Sequence, residues 1–138
     1  MFRREETRVS TAGRGTYDVT PFVREVVDRA AVTDGLATVF VHHTSASLLL
    51  TENADPDVRR DLAAFLLRLV PDGDALYRHD AEGPDDMPAH VRTALLPSSL
   101  TIPIARGQLD LGVWQGLFLW EHRTGSHTRR VSVTVFGA

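Results

Sequence analysis

The sequence has no cysteine among its 138 residues. That excludes disulfides, thiolate metal centres and cysteine nucleophiles. Any bound metal must therefore rest on histidine, carboxylate or backbone oxygen. No apolar run approaches the roughly 20 residues of a membrane span. Neither sign of charge is in large excess. The formal net charge of −3 argues against non-specific nucleic-acid binding, which needs a basic face. Residues 1–6 carry no apolar signal core, so the expected location is cytoplasmic. No internal repeat or low-complexity tail interrupts the chain, and its length suits one domain over 1–138.

The hydrophobic content of 43% is enough for one core. Residues 2–12 read as a strand anchored by Val9, and Gly13 and Gly15 as a turn. Thr20-Pro21 marks a helix start, with threonine as cap and proline at the first position. Phe22, Val23, Val26, Val27 and Ala30 share one face of that helix. Residues 36–43 form a short apolar run ending in two histidines, the pattern of a buried central strand. Because strand residues alternate faces, His42 and His43 point opposite ways. A second strand covers residues 45–51. Asp55-Pro56 caps an amphipathic helix that runs to about residue 70. A short helix is expected over 87–96, capped by Asp86. Alternation at Leu100, Ile102 and Ile104, one or two strands over 109–122, a loop at 124–127 and a strand over 131–136 complete the chain. This order predicts an α+β fold: a mixed, largely antiparallel sheet with helices on one face. The other sheet face is then free for an oligomer.

The polar stretch 79–90 carries His79 and His90 at its ends and Asp80, Glu82, Asp85 and Asp86 between them. Long loops without regular structure are uncommon unless functional or disordered, and these residue types bind metals and move protons. His43, His79 and His90 could converge on one ion, although they follow no compact ligand spacing such as His-Glu-x-x-His. Equally, each could satisfy a local hydrogen bond, the reading that suits His42, His122 and His127. Helix capping alone accounts for Asp86. Glu121, inside an apolar run, needs a partner if buried, and a structural ion pair with an arginine weighs as heavily as a functional role. Thr44 and Ser45 could bind phosphate oxygens or make turn hydrogen bonds. Arg123, Arg129 and Arg130 could recognise phosphate or simply charge a sheet edge.

Three stretches taken together resemble, in order, the signatures of the YjbQ-like proteins, the secondary thiamine-phosphate synthase family. The first is His43-Thr44-Ser45-Ala46-Ser47-Leu48 followed by residues 52–58. The second is the loop 79–90. The third is Gly112-Val113-Trp114-Gln115-Gly116 with Glu121-His122-Arg123 and Arg129-Arg130. Two positions depart mildly from the family pattern, His42 and Ala54. The resemblance implies a homotrimeric α+β protein with a polar pocket near the subunit boundary. It implies a divalent ion, zinc or magnesium, on His43, His79 and His90. Asp80, Glu121 and Asn53 become the catalytic polar residues, and Thr44, Ser45, Arg123 and Arg129 the residues that hold a phosphorylated small-molecule substrate. The implied reaction joins a pyrimidinylmethyl diphosphate to a thiazole phosphate and releases diphosphate. Two other classes suit the same residues: a metal-dependent hydrolase with Asp80 or Glu82 as base, and a non-catalytic module that binds a metal or small ligand.

Overall fold

A computed structural model describes residues 1–138. The elements in order are β1 (Phe2–Ala12), β2 (Gly15–Asp18), α1 (Thr20–Ala30), β3 (Gly35–Val41), β4 (Ala46–Glu52), α2 (Pro56–Leu69), α3 (Asp86–Leu95), β5 (Ser99–Ala105), β6 (Gln108–Leu109), β7 (Gln115–Glu121) and β8 (Ser126–Gly137). The α+β class is as expected, but there are two sheets instead of one. The first has the order β1-β8-β3-β5-β6, and the second β2-β7-β4. Every ladder is antiparallel, so the sheet is not mixed. The second sheet was hidden in the sequence because β2 has only four residues and starts at Gly15, which reads as a turn. Four residues are too few to show alternation.

The main core lies between the two sheets and α1. Ala37, Val39 and Val41 of β3 meet Val131, Val133 and Val135 of β8, Leu117 and Leu119 of β7, Leu48 of β4, and Val23, Val26 and Val27 of α1. Burial of each such valine or leucine contributes about 1.5–3 kcal/mol. The other face of the second sheet carries Trp120 and Leu49, which pack against Leu62, Leu66 and Val70 of the α2 region and Val91 of α3. The helices thus occupy two layers, α1 inside and α2 with α3 outside, where a single helical face was expected.

The five-stranded sheet leaves its outer face uncovered. Register places Phe2 beside Phe136 and Phe136 beside Leu36 in one row. All three are exposed, with Phe40 nearby. Helix starts follow local chemistry. Asp55 caps α2 by accepting from the Asp57 N–H at 2.9 Å, as its sequence predicts. The α1 cap is Val19, not Thr20. The Thr20 hydroxyl instead bridges to Leu117, donating to its carbonyl and accepting from its N–H. In β7, a Cβ on Gly116 would stand 3.0 Å from the Asn53 Cβ and 3.1 Å from the Phe118 ring, so the glycine marks a close approach, as a glycine within a strand often does.

Candidate functional site

Three segments meet at one end of the core. β3 runs out into His43, Thr44 and Ser45. The loop after α2 delivers His79 and Glu82 to the start of α3, which carries Asp86 and His90. The turn between β7 and β8 brings Arg123, His127 and Arg129. Together they line a cavity of about 300 Å³, with His43, Thr44, Ser45, Glu82, Asp86 and His90 on one side and the two arginines and His127 on the other. No apolar residue lines it.

Alternation decides between the two adjacent histidines. Ala37, Val39 and Val41 face the core, and His43 continues that parity into the cavity. His42 faces the opposite side of the sheet, 2.9 Å from the Ser132 hydroxyl, and its Nδ1 accepts from Arg130.

Asp86 is the centre of the cluster. It is only 1% exposed. Its Oδ2 lies 2.6 Å from His79 Nε2 and 3.5 Å from His90 Nε2, and its Oδ1 lies 3.0 Å from Arg123. Burial works to raise the carboxyl pKa. The His79 hydrogen bond and the Arg123 charge outweigh that and hold it below the usual carboxylate range. The expectation that Asp86 is a helix cap is therefore corrected. Asp85 occupies the cap position of α3, and no side-chain bond caps that helix. Asp85 is used elsewhere: its Oδ2 accepts from Arg123 Nε and from the N–H and hydroxyl of Thr124. Burial opposes ionisation there too, but those bonds bring its pKa down to about 2. Asp85 thereby ties the β7–β8 turn to α3.

The three ligand atoms of His79, Asp86 and His90 lie within 4.8 Å of one another. Donors about 2.0–2.2 Å from one ion stand roughly 3.0–3.6 Å apart, so only a small adjustment separates this trio from a coordinating set. The two histidines differ in tautomer: His79 Nε2 carries the proton that it donates to Asp86 Oδ2 at 2.6 Å. His90 Nδ1 donates to the Thr44 carbonyl at 3.1 Å, which leaves the Nε2 lone pair turned toward Asp86. A backbone partner of this kind fixes the tautomer of metal-binding histidines. His43 behaves oppositely. Its Nδ1 accepts from the Ser45 N–H at 3.0 Å, so its Nε2 carries the proton and can only donate. Burial, the largest effect, and the charge of Arg129 lower its pKa and keep the ring neutral. The structure groups His79 and His90 with Asp86 and leaves His43 outside the trio.

The other expected site residues are distributed unevenly. Ser45 is buried and Thr44 anchors His90 through its carbonyl. Arg123 is shared between Asp85, Asp86 and the Glu82 carbonyl, an arrangement that orients Asp86. Arg129 and Glu121 form a buried ion pair at the cavity floor, with guanidinium contacts of 2.7 and 2.6 Å. Glu121 also accepts from the Thr11 hydroxyl and from the N–H groups of His122 and Arg123. Its oxygens are thus engaged inside the protein. Asp80 lies on the other side of the loop. There, with His79, Tyr77, Met87 and Pro88, it lines a second cavity of about 330 Å³. Asn53 stands at the opposite end of the seven-residue β4, roughly 20 Å away at strand rise. Sequence reasoning set aside Asp86 and His127. The overlooked signal was the Asp86–His90 spacing, four residues apart on one helix face.

Comparison with known proteins covers nearly the whole length of the chain. The family model described as UPF0047 protein YjbQ-like matches residues 5–138. A UPF0047 protein of Synechocystis sp. is 53% identical over 129 residues, covering 94% of this chain and 88% of the relative. The UPF0047 protein YjbQ of Escherichia coli O157:H7 is 41% identical over 138 residues, covering 99% of each. Among solved structures, an uncharacterized conserved protein of the YjbQ/UPF0047 family from Clostridium acetobutylicum superposes with a TM-score of 0.87 at 39% identity, covering 96% of this chain and 99% of that one. A YbjQ-like protein of unknown function from Sulfolobus solfataricus shares the fold, with a TM-score of 0.86 at 19% identity. The chain belongs to the UPF0047 YjbQ-like family.

Proposed function

We propose that the protein is a metal-assisted transferase acting on a small phosphorylated substrate, with thiamine-phosphate-synthase-like chemistry. In that reaction a pyrimidinylmethyl diphosphate is attacked by the ring nitrogen of a thiazole phosphate, a carbon–nitrogen bond forms, and diphosphate departs. The observation that carries the reading is the His79-Asp86-His90 trio, whose Asp86 and His90 lie on the wall of a cavity without apolar lining. Two imidazoles and one carboxylate suit zinc and its neighbours better than magnesium, which favours an all-oxygen shell. A three-ligand set keeps a position open for substrate, as catalytic zinc sites do. When bound, the ion supplies positive charge where negative charge develops on the leaving diphosphate.

The residues around it divide the remaining work. Asp86 holds the two histidines in register. The His43 Nε2–H and the Arg123 and Arg129 guanidinium groups face a phosphate from the other walls, with His127 beside them. Thr44 positions His90, and Ser45 fixes the His43 tautomer. Glu121 acts through Arg129 and not on the substrate. The 330 Å³ cavity beyond His79 offers Tyr77, Pro84, Met87 and Pro88 for a heterocycle, the mixture of apolar lining and few polar groups that small ligands use. Asp80 is the carboxylate on that side.

A homotrimer belongs to the same proposal. The exposed row of Phe2, Phe136 and Leu36 with Phe40 is the kind of apolar patch that marks an interface. Asn53, distant within one chain, would then reach a cavity only from a neighbouring copy. Sedimentation of the wild type and of Phe136→Glu tests the assembly. A trimer that the substitution dissociates is expected, and a monomeric wild type contradicts it.

One observation favours hydrolysis as a second reading: Glu82 lines the cavity 4.0 Å from His79, placed to serve as a base toward water. The test for the first reading is growth rescue of a thiamine-phosphate-synthase-deficient strain. Rescue by the wild type and failure by His79→Ala are expected, and equal rescue by both overturns the assignment. A phosphatase panel at fixed metal separates the hydrolase.

A further inference from the structure

Arg92 lies on α3 away from the histidine cavity and is 2% exposed. No carboxylate pairs with it. Its NH2 donates to the Val70 carbonyl at 3.0 Å, and its Nε is buried without a partner. The adjacent carboxylate, Asp72, is already held in a fork by Arg14 at 2.6 and 2.7 Å. Burial and the Arg14 charge both disfavour the charged form of Arg92, and Asp72 only partly offsets them. Buried charges are otherwise paired or coordinated.

Arg92 lines a cleft of about 80 Å³, together with Arg14, Leu66 and Trp120. That is room for two or three waters, or for one small oxyanion. The cleft shares no lining residue with the histidine cavity. It shares Gly15, Ala63 and Trp120 with a wider cavity of about 270 Å³ that carries Arg59 and Arg60. Those two are partly engaged, Arg59 with the Glu52 carbonyl and the Phe118 ring, Arg60 with Asp57 at 3.4 Å. A second buried atom in this layer also lacks a partner, Nδ1 of His122, whose ring sits 5.7 Å from that of Trp120.

We propose that this cleft is a second anion site, in which a phosphate-sized oxyanion accepts a hydrogen bond from the unpartnered Nε of Arg92 beside the Arg14 charge and Trp120. Arg59 and Arg60 line the adjoining wider cavity, so the ligand class extends from inorganic phosphate to a phosphomonoester whose organic part lies there. The Arg92 Nε–H is the free donor for such an anion, while the Arg14 fork stays on Asp72. The anion would supply the counter-charge that the fold does not provide to Arg92.

Tryptophan fluorescence tests the site. The chain has two tryptophans, so Trp114→Phe leaves Trp120 as the sole reporter. Titrating this variant with inorganic phosphate, against chloride at equal ionic strength, is expected to shift or quench Trp120 emission saturably. Adding Arg92→Met should weaken the response at least about tenfold, and Arg14→Gln should weaken it less. His79→Ala should leave it unchanged, which separates this site from phosphate bound in the histidine cavity. No saturable response from Trp120, or an undiminished one in the folded Arg92→Met variant, overturns the proposal. Should Arg92→Met not fold, Arg14→Gln with an unaltered response overturns it as well.

Discussion

Replacing Glu121 by glutamine separates a structural role from a catalytic one. The carboxylate is fully buried and accepts from five donors: two guanidinium nitrogens of Arg129, the Thr11 hydroxyl and two backbone N–H groups. Glutamine keeps the shape, removes the charge, and turns an N–H₂ group toward donors. It also leaves Arg129, 1% exposed, as an unpaired buried cation. Breaking one partner of a buried pair costs about 3–5 kcal/mol, a large part of the roughly 5–15 kcal/mol that keeps a domain folded. For a chain of this size the fall in Tm is on the order of 10–20 °C. Urea unfolding at pH 7 with a matching thermal melt measures it. The double variant Glu121→Leu with Arg129→Met should recover much of the loss, because removing both charges also removes the penalty of the orphan. A Glu121→Gln protein within about 1 kcal/mol of wild type would refute the reasoning, and so would a double variant with the full sum of both losses.

Two further predictions concern the fold. Burial, the dominant effect, and the Arg92 charge push the His122 pKa down to about 3, against about 6.5 when unfolded. The unfolded chain therefore binds one more proton between those values, and stability falls as pH drops through this window. From pH 6.5 to 5 His122 accounts for about 2 kcal/mol, with His42 and His43 adding in the same direction. Urea midpoints at pH 7, 6 and 5 should show this loss, and His122→Gln should flatten it; an identical slope in the variant contradicts the assignment. Gly35→Ala would drive a Cβ into the Phe136 carbonyl where β3 crosses β8, and a loss of about 3 kcal/mol or more is expected by urea unfolding.

The sequence showed the long elements and hid the short ones. β8 and α2 were legible because apolar residues repeat at two or three-to-four residue spacing over six or more positions, and β3 because it is a short continuous apolar run. β2 and β6 have four and two residues, too short for any period to emerge. The split into two sheets depends on β2 and on β7 pairing with β4, a contact between segments far apart in the chain. At the site, alternation along β3 contained the answer to which histidine faces inward. Asp86 was obscured because an acid at a helix start has an ordinary local explanation. Its real partners, Arg123 and His79, approach it from a distant turn and from a loop. Glu121 was rightly suspected of needing an arginine, and Arg129 is that arginine. Asn53 illustrates the limit, since a polar residue of one signature stands a strand's length from the residues of another.

The His79-Asp86-His90 trio is the proposed ion-binding centre. Calorimetric titration of the metal-stripped protein with zinc tests it most directly. One ion per chain is predicted for the wild type, with affinity falling at least about tenfold in Asp86→Asn and in His90→Ala, and unchanged in His43→Ala, which lies outside the trio. Wild-type protein that takes up no ion, or Asp86→Asn that binds as tightly as wild type, would contradict it.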